Sequence, residues 1–227
     1  MYCFLIYIHG PLRLHFKHPT TIQVSGPTRC GQTRLIQRIL EEQLSQPFAT
    51  RIIWVYSEWQ PDYNMIRERY PGIEFEKGWR DDIFDSLTPE QCNILVLDDQ
   101  MGVASSSKSV SDPCTKGSHY RNLTVIFLVQ IVYNQGKSQR TILFDSHSSV
   151  VFRNGRDALQ FRNMAYQICP SNKHWLVDAF TDATSKQYGY FVLDYHPSTP
   201  ENQTVATNIL PGEQLTYYIN NHLKVKR

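Results

Sequence analysis

The stretch TTIQVSGPTRCGQT, residues 20–33, decides the fold. A β-branched apolar run ends at Ser25, and a glycine-bracketed loop, GPTRCGQT (26–33), leads into a patterned segment. The loop keeps the spacing G-x-x-x-x-G-K-S/T at every fixed position except the lysine, where Gln32 stands. Gly26 and Gly31 allow backbone geometry that strains other residues. Successive N–H groups of Gly26, Pro27, Thr28, Arg29, Cys30, Gly31, Gln32 and Thr33 (proline excepted) then converge on a phosphate, helped by the helix start behind them. Thr33 is placed to ligate Mg²⁺. From Thr33 to Gln46 the residues Leu35, Ile36, Ile39, Leu40 and Leu44 make one apolar face with Glu41 and Glu42 outward, so a helix is expected there.

Further apolar runs recur: RIIWVY (51–56), NILVLD (93–98), LTVIFLV (123–129), SVVF (149–152) and YFVLD (190–194). Near-continuous runs of this kind suit strands buried on both faces of a mostly parallel sheet. Strands alternating with helical segments predict an α/β, doubly wound architecture in one domain over 1–227. The segment after His196, 197–227, is rich in Pro, Asn and Thr and reads as a solvated C-terminal tail ending in KVKR. The Ser- and Gly-rich stretch 102–118 reads as a loop.

The second chemical signal is ILVLDDQ at 94–100, an apolar strand ending in two carboxylates. Asp98 is expected to hold Mg²⁺, directly or through water, and Asp99 to act as base or to orient an attacking water. Asp98 follows Thr33 by 65 positions, which implies an additional strand between the two motif strands. Glu58 is a second candidate base, with a turn glutamate before Pro61 as the competing reading. Gln130, after the run at 123–129, is a candidate sensor of the γ-phosphate or orienter of water. Arg121 and Arg156, near strand ends, are candidate arginine fingers, each weighed against a plain salt bridge.

Composition narrows the rest. With 23 basic and 21 acidic residues the formal charge is +2, so bulk charge makes no argument for nucleic acid. The five cysteines, Cys3, Cys30, Cys92, Cys114 and Cys169, are widely spaced without a CxxC pair, which argues against a disulfide scaffold and for an intracellular setting. The opening MYCFLIYI is too short to span a bilayer and lacks a basic leader; an edge strand or a frayed start is expected, and no membrane partner. The sequons at Asn122 and Asn202 are then incidental.

Seven stretches together resemble one family: HPTTIQVSGPTRCGQT (18–33), RIIWVYSEWQPDY (51–63), NILVLDDQM (93–101), GSHYRNLTVIFLVQ (117–130), FRNGRD (152–157), DATSKQYGYFVLDYHPSTPE (182–201) and TNILPGE (207–213). Nearly the whole chain is similar to viral genome-packaging ATPases of the FtsK–HerA superfamily, of the poxvirus type and as carried by Polinton- and adintovirus-like elements. The resemblance implies a P-loop NTPase with a RecA-like three-layer fold, ATP and Mg²⁺ as cofactors, and a homo-oligomeric, often hexameric, ring. It further implies double-stranded DNA threaded into a capsid, contact with capsid proteins, and a place in the host nucleus or cytoplasm or at virion assembly. By position, Gly26, Gly31 and Thr33 match the phosphate loop, Asp98 and Asp99 the acidic motif, and Gln130 the polar sensor. Gln32 for lysine and Ile131 after Gln130 depart from the pattern. A hydrogen bond to a charged group contributes about 1.5–3 kcal/mol, so loss of the lysine is expected to lower nucleotide affinity roughly ten- to hundredfold. Arg29 and Arg34 flank the site as substitutes. The competing readings are a non-catalytic module that keeps the fold and binds DNA or protein, and a small-molecule kinase.

Overall fold

In a computed structural model, residues 6–9, 14–100, 120–130, 146–155 and 158–220 are described. Their strands form a ten-stranded sheet in which six consecutive strands run parallel: β9 (Ser148–Phe152), β3 (Thr21–Ser25), β8 (Leu123–Val129), β7 (Asn93–Asp98), β5 (Arg51–Tyr56) and β6 (Ile73–Lys77), in that spatial order. Every residue of β3, β7, β8 and β9 is buried, as the unbroken apolar runs require of strands covered on both faces. β6 ends the parallel part as an edge and carries Glu74, Glu76 and Lys77, charges that discourage pairing with another chain.

Three layers result. On one face α1 (Gln32–Glu41) and α2 (Asp62–Arg69) bury Leu35, Ile36, Ile39 and Ile66 against Ile22, Val24, Val96 and Ile126. On the other, α3 (Asp81–Asp85) places Ile83 over Val55, Leu97 and Phe127. Farther along that face, α4 (Ala158–Ile168) and α5 (Lys173–Ala183) pack Phe161, Trp175 and Leu176 on Val151, Phe191 and Leu193.

The other four sheet strands form an antiparallel wing beyond β9: β10 (Tyr190–Asp194), β11 (Val205–Thr207), β12 (Thr216–Ile219) and β1 (Ile6–His9). The opening apolar run therefore contributes an edge strand. The reading of 197–227 as a solvated tail is corrected, because β11 and β12 lie inside the sheet and bury Val205, Ala206 and Tyr218. Its prolines lie in the short turns between these strands, whereas Thr207 and Thr216 are strand residues; the terminal KVKR lies outside the described residues, as does the stretch 102–118.

The helix expected from Thr33 to Gln46 ends at Glu41. Gln43 takes a left-handed conformation (φ 51°), and the N–H groups of Gln43 and Leu44 turn back to the carbonyls of Leu40 and Ile39. This paired closure satisfies two carbonyls that a helix end otherwise leaves open. Leu44 is still fully buried, but Ser45–Gln46 departs as a short strand, β4, parallel to β2 (Phe16–Lys17).

The register sets up the site. Ser25 pairs with Val129, Leu128 with Asp98, and Asp98 with Tyr56, so four parallel strands end side by side. β8 lies between β3 and β7 and is the strand inserted between the two motif strands. Ligands of open α/β sheets bind at this carboxyl edge.

Candidate nucleotide-binding site

The phosphate loop leaves β3 at Gly26, whose N–H donates to Val129 O at 3.1 Å. A Cβ at Gly26 would stand 2.6 Å from Cys30 Sγ and 2.7 Å from Phe152 Cβ, so only glycine fits. Arg29 (φ 66°) and Gly31 (φ 105°) are both left-handed, and Cys30 N–H closes a turn onto Pro27 O. Gly31 then begins α1, its carbonyl taking Leu35 N–H at 2.9 Å. Burial pushes the Cys30 thiol up to about 11, so it stays protonated and acts as packing. Gly26→Ala is expected to cost about 1–3 kcal/mol of stability, because Phe152 Cβ is tied to the β9 backbone and cannot withdraw. Urea denaturation of the two proteins measures it.

Gln32 does something the sequence did not reveal. Its Nε2 donates to Val129 O at 2.7 Å, with Val24 O at 3.2 Å and Gly26 O at 3.3 Å also in range. The side chain therefore ties the start of α1 to the ends of β3 and β8 and spends its donors on carbonyls.

Asp98, at the tip of β7, is 7% exposed, and Tyr63 of α2 donates its hydroxyl to Oδ2 at 2.6 Å. Burial is the largest influence and raises its pKa; the Tyr63 hydroxyl pulls it back, the Asp99 charge raises it, and the Trp54 indole lowers it. Tyr63, itself pushed up by burial and by Asp98, remains a donor throughout. A raised carboxyl binds its proton more tightly in the folded than in the unfolded chain. Its contribution to stability is therefore fullest below the unfolded value and is lost as pH rises through the folded one. Asp98→Asn is accordingly expected to raise the Tm of the nucleotide-free protein at neutral pH, with the gain fading towards about pH 4. Thermal melts at the two pH values check the sign.

Asp99 is exposed and left-handed (φ 56°), and its carbonyl accepts from Ser57 Oγ at 2.9 Å. Gln100, 4% exposed, donates to Ser57 Oγ at 2.8 Å. This Ser57–Gln100 clasp joins the tips of β5 and β7 and fixes the turn that carries Asp99. Neither it nor Tyr63 was singled out from the sequence; the only hint was a polar residue after each strand tip.

A cavity of about 810 Å³ gathers Thr28 to Thr33, Asp98, Asp99 and Gln130. That volume lies within the range of small-molecule sites. Glu58 and Arg121 stand apart from it. Glu58 has an 83% exposed side chain paired with Lys77 on β6 at 3.2 Å, and does not line the cavity. Arg121 precedes β8, at the end of the sheet opposite the loop. Its guanidinium donates to Phe84 O and Leu87 O at 2.8 and 3.0 Å, lies over the Phe84 ring and pairs with Asp85. It closes the C-terminus of α3 and is not available as a finger. Arg156 lies outside the described residues.

Among the described residues no group of three or more His, Cys, Asp or Glu could hold a metal. The donors facing the cavity are instead hard oxygens, the Thr33 hydroxyl and the buried Asp98 carboxylate. Two such ligands with phosphate oxygens and water are the usual surroundings of Mg²⁺, so the residues fit that ion. No helix among the described residues is long and apolar enough to cross a membrane.

Neither a protein-family model nor a curated protein matches the chain. Solved structures do. The genome packaging NTPase B204 from Sulfolobus turreted icosahedral virus 2 in complex with AMPPCP is similar at 15% identity, over 79% of this chain and 94% of that one, with TM-score 0.52. The same NTPase in complex with ATP-gammaS matches at 15% identity over the same shares, with TM-score 0.51. B204, the DNA-packaging ATPase from Sulfolobus Turreted Icosahedral Virus, matches at 12% identity, again over 79% and 94%, with TM-score 0.52. Likeness at this level of identity concerns the fold: the chain is an α/β protein with the P-loop NTPase, RecA-like three-layer fold.

Proposed function

We propose that this chain is an ATP-dependent subunit of a motor that moves double-stranded DNA, of the genome-packaging kind. The observation that supports it most is the register that brings the phosphate loop, Thr33, Asp98, Asp99 and Gln130 to one cavity at the carboxyl edge of the sheet. In this reading the loop N–H groups hold the β- and γ-phosphates. Thr33 and Asp98 would hold Mg²⁺, which would supply neutralisation of phosphate charge. Asp99 accepts a proton from, or orients, the water that attacks the γ-phosphorus. The bond to the β–γ bridging oxygen breaks, and ADP and inorganic phosphate leave. Gln130 orients the same water or reads the γ-phosphate. B204, similar in fold, is a genome-packaging NTPase seen with ATP analogues, which agrees with this assignment.

The ring, capsid proteins as partners and action at virion assembly belong to the same proposal. With Arg121 committed to α3, a finger from a neighbouring subunit falls to Arg156. Sedimentation with ADP·BeF₃, Mg²⁺ and DNA is expected to give an oligomer, hexameric if the ring is of the usual size. A monomer under all these conditions removes the motor.

One observation favours a second reading. The Gln32 amide is engaged with carbonyls and carries no charge, which suits a non-catalytic module that keeps the fold and acts by binding DNA or protein. DNA-dependent ATP turnover by the purified protein separates the two.

A further inference from the structure

The cavity continues past the phosphate loop to Tyr188, Leu210 and Glu213, residues the proposed hydrolysis does not use. Tyr188 is unusual twice over. The residue is 63% exposed, and its backbone is left-handed (φ 61°), a conformation uncommon for a bulky residue and one that concentrates at ligand sites. The turn that imposes it is closely packed. A Cβ at Gly189 would stand 2.6 Å from Ala183 O, Gly189 N–H closes onto Lys186 O, and Thr184 Oγ1 donates to Phe180 O. The ring so held lies against the phosphate loop: a Cβ on Gly31 would be 3.5 Å from Tyr188 Cδ1 and 3.7 Å from Phe152 Cε1.

Phe152 leads on to the buried Tyr190, with ring centroids 5.9 Å apart, and Tyr190 donates its hydroxyl to Glu213 Oε2. That same oxygen takes Leu210 N–H at 3.2 Å, while Oε1 has no hydrogen bond among the described residues. One carboxylate oxygen is thus used to fix Glu213, which lines the cavity, and the other is open to a further donor. Arg38, two turns into α1, reaches Pro211 O at 3.4 Å and holds this loop against the helix.

Resting on the nucleotide reading of the same cavity, we propose that Tyr188 and Glu213 form a ribonucleoside subsite, Tyr188 stacking on the base and Glu213 accepting a hydrogen bond from a ribose hydroxyl. A flat π-face stacks on any base. A carboxylate with one free oxygen suits a single O–H donor and does not match the paired N–H edge of guanine. The subsite therefore selects ribose and tolerates either purine.

Calorimetric titration with Mg²⁺ and ADP, GDP, 2′,3′-dideoxy-ADP and inorganic pyrophosphate tests this. ADP and GDP are expected to bind within a few-fold of each other, and dideoxy-ADP about tenfold more weakly. Tyr188→Ala lowers ADP affinity by about tenfold or more and leaves pyrophosphate binding unchanged, which also shows that the variant is folded. Tyr188→Phe keeps the wild-type affinity, and Glu213→Ala, with unchanged pyrophosphate binding as the check on its fold, removes the preference for ADP over dideoxy-ADP. If pyrophosphate binds the wild type as tightly as ADP, or Tyr188→Ala binds ADP normally, the subsite is overturned while the phosphate site stands. If the wild type binds none of the four, the nucleotide reading falls and takes the subsite with it.

Discussion

Replacing Gln32 by lysine is expected to raise DNA-stimulated ATPase activity by about thirty- to more than a hundredfold. Charge builds on the transferred phosphoryl group in the transition state, and an ammonium placed there contributes roughly 2–3 kcal/mol that a neutral amide does not. The structure strengthens the case for a clean substitution. Gln32 Nε2 sits among the carbonyls of Val24, Gly26 and Val129. An ammonium offers three donors where the amide offers two, so lysine can satisfy the same carbonyls before turning to phosphate. Folding should therefore be kept, which circular dichroism and a thermal melt check. A large gain identifies a motor held back at one position. High activity already in the wild type assigns the missing charge to another group, with Arg29, in the loop and lining the cavity, the best placed. Inactivity of both proteins supports the non-catalytic module.

The second large effect separates two adjacent carboxylates. Asp98→Asn is expected to weaken Mg-ATP binding by about ten- to a hundredfold, since it removes one charge from the buried carboxylate proposed to hold Mg²⁺. Asp99→Asn is expected to leave binding nearly unchanged and to lower turnover by about a hundredfold or more, the usual contribution of a general base. Their surroundings differ as these roles require. Asp98 is buried and held by Tyr63, whereas Asp99 is exposed on a left-handed turn clasped by Ser57 and Gln100. Calorimetry and single-turnover hydrolysis on both variants, in the Gln32→Lys background if the wild type is slow, make the comparison. Equal behaviour of the two contradicts the division of labour.

Much of the fold was legible because its parallel core leaves little choice. The runs at 51–56, 93–98 and 123–129 are apolar without alternation, and each is a strand of those bounds. The glycine spacing located the loop for a similar reason, since Gly26 has no room for a Cβ. What escaped depends on partners distant in sequence. Nothing local says that Gln32 reaches Val129, that Asp98 takes a hydroxyl from Tyr63, or that Arg121 closes α3. The short strands β11 and β12 have no long apolar run, and their place comes from pairing with β10 and β1. The helix overran its end because Leu44 continues the apolar spacing after Gln43 has reversed the backbone.

The central claim is that this cavity binds and hydrolyses ATP in the service of moving DNA. Its most direct test is steady-state release of phosphate from Mg-ATP by the purified protein, wild type and Gln32→Lys, with and without linear double-stranded DNA. The account predicts turnover that rises with DNA and is much faster in Gln32→Lys, and that disappears with Asp99→Asn. No phosphate release by either protein, with DNA present and the fold intact, contradicts it.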